Sequence, residues 1–238
     1  MLINTKAVVF STLKYGESDL IVKCFTEESG LKTYLLRGIL KSRKGKLRVA
    51  MFQVLTLLDI VGWHRDKGSM EYLKEARVSC GFRTLHTDVV KSSVLIFLAE
   101  VLSAAVKEEE RNTPLFQFLE QSLIWYDAQP QQPNFHLLFL VKLTRYLGFE
   151  PDISTTGAVF DLQDGTFRHT STGDNCISDE NVPLLRRLLG IDFDELHAVK
   201  LNQSVRAGFL QMMLRYYQIH LQGFQKPRSL AVLNEIFS

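Results

Sequence analysis

The stretch "LIVKCFTEESGLKTYLL", Leu20 to Leu36, holds two short apolar runs with β-branched and aromatic residues, separated by the polar break "EESG". Runs of this length and composition, bounded by turn residues, are typical of β-strands. The pattern extends in both directions through the first 77 residues, and no helical pattern interrupts it. It predicts five strands: Ile3 to Leu13, Leu20 to Thr26, Leu31 to Leu36, Phe52 to Ile60 and Met70 to Arg77. Because closing such a sheet removes its exposed edges, we expect a small β-barrel.

From Asp88 onward, apolar residues recur at steps of three and four, which predicts a helix to about Lys107. A second helix is predicted with Thr113 as its N-cap and Pro114 in its first position, and a third with Asn134 as its cap and Gly148 as its end. Three more helices are predicted over 179–189, 204–221 and 227–237. A non-helical insertion at about 152–178 contains Asp164-Gly165, a hairpin signal. The predicted fold is α+β: a barrel domain at 1–80, then an all-α domain at 81–238 that carries the hairpin insertion.

Composition is that of a globular protein, with 46% hydrophobic and 23% charged residues. No apolar segment is long enough to span a bilayer, and the N-terminus lacks an export signal, so we expect a cytoplasmic protein. The cysteines Cys24, Cys80 and Cys176 are far apart in sequence. Their spacing argues against a disulfide framework and against a thiolate-rich zinc site.

Charge is distributed unevenly along the chain. Residues 1–80 hold 14 Lys/Arg against 8 Asp/Glu, a net charge of +6, whereas residues 81–238 hold 14 against 18, a net charge of −4. The stretch "RGILKSRKGKLRVA", Arg37 to Ala50, has six of the cations and no acid. Such a concentration indicates a module that meets a polyanion, joined to one with another task.

Three interpretations of the basic stretch compete. A P-loop is excluded because six residues separate Gly38 from Gly45, and Leu47 stands where a Ser or Thr should bind magnesium. Two interpretations remain. One is a solvated surface loop, and the other is a nucleic-acid contact in which cations follow the phosphates and aromatic rings stack on bases. The stacking candidates are Tyr15, Tyr34 and Trp63, which tolerate half-exposed positions, whereas Phe25 and Phe52 are expected in the core.

No catalytic constellation is visible. The six histidines stand singly, without the i,i+4 spacing that binds a metal from one helix face, and Cys24 lies within a predicted strand.

The segment "STLKYGESDLIVKCFTEESGLKTYLLRGILKSRKGKLRVAMFQVLTLLDI", Ser11 to Ile60, resembles the opening of the RecO family of bacterial recombination mediators. It has that family's Y-G-E-x-D turn, T-x-x-x-G turn and following basic segment. The later stretches "LGFEPDI" and "PRSLAVLNEIF" resemble the junction before the family's insertion and its closing helix.

The resemblance implies a DNA repair and recombination mediator that is not an enzyme. Its N-terminal OB-fold would bind single- and double-stranded DNA and anneal complementary strands. With RecR it would help to load RecA onto DNA coated by single-strand-binding protein, with RecF and RecA as indirect partners, in the cytoplasm at the nucleoid. The positions that match the family's basic segment are Arg37, Lys41, Arg43, Lys44, Lys46 and Arg48. Gly16, Glu17 and Asp19 match as turn-forming residues.

One departure concerns the insertion, where many members of the family carry a four-cysteine zinc site. Here the island from Ile153 to Ser178 has only Cys176, and one thiolate does not build a tetrahedral site. We therefore expect no cofactor and no metal, with the Asp164-Gly165 hairpin ordering the insertion instead.

Two other classes of function stay open on the sequence alone. One is a protein-interaction adaptor whose acidic helical domain is the working surface, with a merely structural barrel. The other is a small-molecule transferase with a composite site.

Overall fold

The computed structural model describes residues 1–42, 47–64, 70–107, 110–171 and 173–237. By the packing of its backbone the chain forms two compact units, Met1–Ala128 and Gln129–Ser238.

The first unit begins with a five-stranded sheet. Its strands are β1 Leu2–Tyr15, β2 Asp19–Thr26, β3 Gly30–Leu36, β4 Leu57–Trp63 and β5 Tyr72–Val78. Hydrogen-bonded neighbours are antiparallel in the order β3-β2-β1-β4-β5. A parallel bridge between Tyr34 and Glu71 then joins the two edges: Glu71 N–H donates to the Thr33 carbonyl at 2.7 Å, and Leu35 N–H donates to the Glu71 carbonyl at 3.2 Å. This closure makes the predicted barrel, and its topology is that of an OB-fold.

The fourth strand begins later than its sequence predicts. Val49–Phe52 form a short 3₁₀ helix, and β4 begins only at Leu57. Between them Leu55 adopts a left-handed backbone with φ 57° and donates its N–H to the Val9 carbonyl at 2.7 Å. The prediction of a strand from Phe52 is therefore wrong at its start, because a left-handed residue interrupts the extended backbone.

Two helices, α1 Val89–Ala105 and α2 Thr113–Ala128, complete the first unit. Phe116 of α2 stacks on Phe25 of the barrel with ring centroids 6.4 Å apart, and the Ser103 hydroxyl of α1 donates to the Phe10 carbonyl at 3.4 Å. The compact unit thus extends beyond residue 80, where strands give way to helices, because α1 and α2 bury apolar faces against β1 and its neighbours.

The second unit consists of helices around a small sheet. Its elements are α3 Phe135–Tyr146, β6 Val159–Asp161, β7 Thr166–Arg168, β8 Cys176–Ile177, α4 Asn181–Leu189, a 3₁₀ helix Phe193–Ala198, α5 Gln203–His220 and α6 Leu230–Ile236. The predicted hairpin is confirmed: β6 and β7 pair around the Asp164-Gly165 turn, and Gly165 has φ 67°. Strand β8, on the other side of β6, is an addition that the sequence pattern did not indicate.

Two helix caps differ from those predicted. The side chain of Asn112 accepts the Leu115 N–H at 3.1 Å, so Asn112 caps α2 and Thr113 lies inside it. Asn134 is the N-cap residue of α3 but makes no side-chain cap, since its Oδ1 accepts the Arg206 Nε–H at 3.0 Å. This hydrogen bond to a distant residue outweighs the local preference of Asn for capping a helix.

Candidate nucleic-acid interface

The described part of the basic segment is exposed and leaves the barrel from the end of β3. Arg37 directly follows that strand, Lys41 lies four residues further on, and Arg48 precedes the 3₁₀ helix; all three side chains face solvent. Three further cations predicted to contact DNA lie outside the described residues: Arg43, Lys44 and Lys46.

Both ends of this segment are attached to the barrel core. Ile39 is buried within the hydrophobic cluster inside the barrel, and Leu47 packs partly buried against the same cluster. Apolar packing thus fixes the described backbone on either side of residues 43–46.

Two of the three predicted stacking residues are exposed, and the third is not. Tyr15, the last residue of β1, is 53% exposed, and Trp63, the last of β4, is 47% exposed. Tyr34 is fully buried, and its hydroxyl lies 2.7 Å from His64 Nε2. The prediction for Tyr34 is wrong because its ring points into the barrel, as the alternation along β3 requires, and offers no face to a base.

The expected core aromatics behave as predicted. Phe25 and Phe52 are both buried. The Cys24 thiol is buried with Phe52 in the cluster inside the barrel, and burial raises its pKa to about 12. It therefore stays protonated, and it is no nucleophile at neutral pH. All three cysteines are unpaired.

Sequence reasoning missed an apolar row on the outside of the barrel. Strand register places Leu13 opposite Ile21, and Ile21 opposite Leu35. Register also pairs Tyr72 with Trp63 across β5 and β4.

The Leu35 N–H···Glu71 bond places the start of β5 beside Leu35, so the row is continuous around the barrel. Residues opposite one another share a face, and the buried neighbours Tyr34 and Leu73 show that this face points outward. We call this row the outer belt; its members are Leu13, Ile21, Leu35, Tyr72 and Trp63.

Three side chains of the outer belt are exposed, with Leu13 at 64% and Tyr72 at 58%, and its other two are half-buried. A contiguous apolar surface of this kind marks a binding site more often than scattered single residues do. Tyr72 could have been found from the sequence, because alternation with a buried Leu73 places its ring outside. The belt itself needs the register of five strands.

Cations border the outer belt. Lys23 lies two residues along β2 from Ile21 on the same face, and Arg37 lies two residues beyond Leu35. Tyr15 follows Leu13 by two residues and pairs with Asp19 at the start of β2. Stacking surfaces and positive charge thus adjoin on the outside of the barrel, the arrangement that suits a single-stranded polyanion.

The insertion in the second unit is ordered by an arginine. The guanidinium of Arg186, on α4, lies 3.7 Å from the centre of the Phe167 ring and donates to the carbonyls of Thr155 at 3.1 Å and Gly157 at 3.2 Å. Across the part of the chain that the structure describes, no cluster of three or more His, Cys, Asp or Glu side chains is arranged to hold a metal ion.

None of the described helices combines the length and the apolar character needed to cross a membrane.

The closed barrel with its bordering cations, followed by a helical unit, defines an OB-fold protein with an appended helical domain. Comparison with known proteins narrows this class. Residues 1–82 match the family model "Recombination protein O N terminal", and residues 86–230 match "Recombination protein O C terminal". The chain therefore belongs to the RecO family of DNA repair and recombination mediators.

Similar proteins are found over the full length. A DNA repair protein RecO of Christiangramia forsetii is 54% identical over 238 residues, one of Flavobacterium johnsoniae 44% over 241, and one of Bacteroides fragilis 33% over 242. In each case the alignment covers 100% of both chains.

Proposed function

We propose that this protein binds single- and double-stranded DNA through its barrel and anneals complementary strands. With RecR it helps to load RecA onto DNA coated by single-strand-binding protein, and RecF and RecA take part indirectly. It acts without catalysis and without zinc, in the cytoplasm at the nucleoid. The observation that carries the proposal is that a basic segment leaves the barrel beside an exposed apolar and aromatic belt.

The basic segment would bind phosphates. Each phosphate neutralised by Lys or Arg releases condensed counterions, which drives binding and makes it weaken as salt rises. The exposed side chains of Arg37, Lys41 and Arg48 suit this role, and Arg43, Lys44 and Lys46 join them by sequence. Neutralising two strands at one surface also reduces their mutual repulsion, so the same cations favour annealing.

The outer belt would bind bases. Trp63, Tyr72 and Tyr15 offer rings at half-exposed positions, and Leu13 adds apolar contact area. Stacking accepts every base, because each has a π-face, which fits a mediator that works on any sequence. Only unpaired bases expose that face, so the belt should favour single strands, whereas the cations serve both forms of DNA.

This division gives a test. Changing both Trp63→Ala and Tyr72→Ala should weaken binding to single-stranded oligonucleotides by about 1–3 kcal/mol for each stacked base lost. Binding to a duplex of equal length should change little. Fluorescence anisotropy with labelled oligonucleotides measures both affinities. Ile124→Ala, which removes an exposed apolar side chain from α2, serves as the control.

Equal single-strand affinity in the parent and the double variant would exclude the belt as the base contact. An annealing assay with two complementary oligonucleotides then separates the mediator from the adaptor. The adaptor would bind a protein partner through its helical domain without accelerating annealing.

A further inference from the structure

The turn between β1 and β2 is bonded to the start of the basic segment. The Asp19 carboxylate accepts the Gly38 N–H at 2.9 Å and the Ser18 hydroxyl at 2.8 Å. Another hydrogen bond joins the same turn to the segment: the Leu40 N–H donates to the Ser18 carbonyl at 2.9 Å. The turn therefore holds the first residues of the segment through a carboxylate and a backbone carbonyl.

Gly38 sits where the chain changes direction. Its φ of 68° is in the left-handed region, and the N–H groups of Lys41 and Ser42 both donate to its carbonyl, at 3.2 and 3.1 Å. The backbone atom that Asp19 binds thus belongs to the tight turn that sends the segment away from β3. Arg37 precedes this turn and Lys41 ends it.

The Asp19 carboxylate is stable as an anion. Its hydrogen bonds from Gly38 and Ser18, and then the charges of Arg37 and Lys41, lower its pKa below the ordinary value. At neutral pH it is an acceptor only, so its bond to the Gly38 N–H persists throughout the range in which DNA would bind.

We propose that Asp19 is a positioning residue for DNA binding: by holding Gly38 it sets the direction in which the basic segment leaves the barrel. This inference rests on the proposed function, since it concerns the same surface. It assigns the acidic residue of the Y-G-E-x-D turn a role beyond forming the turn.

Charge and geometry predict opposite effects of removing this carboxylate. An anion beside Arg37 and Lys41 repels phosphate, so if charge were all that mattered, every neutral variant would bind DNA more tightly. If position matters, a variant without an acceptor should bind less tightly. Asp19→Asn retains an acceptor oxygen and loses the charge, whereas Asp19→Ala loses both.

The test is a titration of labelled single-stranded oligonucleotide at several salt concentrations. In Asp19→Ala, displacing one or both of Arg37 and Lys41 from the phosphates should reduce the magnitude of the slope of log affinity against log salt by about 0.7 to about 1.4. If the variant and the parent bind equally at about 1 M salt, this slope change raises the dissociation constant of the variant about 5- to 25-fold at about 0.1 M. Asp19→Asn should keep the parent slope and bind at least as tightly.

Asp152→Ala is the matched control. Its carboxylate accepts the Ser154 N–H at 2.9 Å in an exposed turn of the second unit, so the substitution removes the same charge and the same kind of bond. It should leave the slope unchanged. A partly unfolded Asp19→Ala preparation would show a smaller active fraction at the parent slope, which separates misfolding from misplacement.

The outcomes are distinct. Asp19→Ala binding with the parent slope and affinity, or more tightly, would overturn the inference alone. A parent protein that shows no salt-dependent binding to the oligonucleotide would overturn the proposed function and the inference together.

Discussion

His136 should make the second unit sensitive to acid. The ring lies on α3, is buried, and stacks on Phe237 with centroids 5.3 Å apart and planes 15° apart. Burial, and then the positive charge of Arg206, lower the pKa of His136 from 6.5 to about 3. The folded protein therefore keeps this ring neutral at pH values where the unfolded chain protonates it.

The pH window follows from these two pKa values. Above pH 6.5 both states are neutral, and the ring contributes its full stability. As the pH falls from 6.5 toward 3, only the unfolded state takes up the proton, so folding stability is lost across that window. At about 1.4 kcal/mol per pKa unit, the loss between about pH 7.5 and about pH 5 amounts to about 2 kcal/mol.

The assay is urea unfolding of the parent and of His136→Gln at both pH values, monitored by far-ultraviolet circular dichroism. Glutamine does not titrate, so the parent should lose about 2 kcal/mol more than the variant on acidification. Tryptophan fluorescence provides an internal reference, because Trp63 and Trp125 both belong to the first unit. Parallel pH profiles for the two proteins would show that protonation of His136 does not destabilise the fold.

Two further predictions concern the packing. A Cβ on Gly157 would lie 1.8 Å from the Arg168 carbonyl oxygen, whereas one on Gly173 meets nothing within 4 Å, and both glycines have positive φ. Urea unfolding should thus show Gly157→Ala to be less stable than Gly173→Ala by about 2 kcal/mol; equal stabilities would contradict the clash. Tyr34→Phe should lower the free energy of unfolding by about 1 kcal/mol through the lost bond to His64, and an unchanged stability would contradict a contribution from that bond.

The order of strands and helices was predictable because each element carries its own local pattern. Runs such as Leu20 to Thr26 and the three-and-four spacing after Asp88 are readable without tertiary information, and the elements found there agree. The start of β4 was not predictable, since the left-handed Leu55 is held by a bond to Val9 on another strand. Asn134 is a similar case, because its side-chain oxygen accepts a hydrogen bond from Arg206, far along the chain.

The candidate site divides in the same way. Clustered charge from Arg37 to Arg48 is a property of consecutive residues, so the sequence alone indicates it. The outer belt is a property of register, because its five side chains come from five strands, and composition does not show which aromatic faces solvent. Tyr34 and Tyr72 have similar sequence surroundings, yet in the closed barrel strand alternation points the first ring inward and the second outward.

The central claim is that the basic segment of the barrel binds DNA phosphates. It is tested most directly by the salt slope of single-strand binding after reversing four of the segment's charges: Lys41, Arg43, Lys44 and Lys46, each to Glu. A matched control reverses four exposed charges of the second unit: Arg145, Lys200, Lys226 and Arg228, each to Glu. Both variants carry the same net charge, so a difference between them reports position.

The magnitude of the slope should fall by at least about 0.7, and by up to about 2.8 if all four cations bind phosphates, in the barrel variant only. An unchanged slope in the barrel variant, or an equal fall in both, would contradict the central claim.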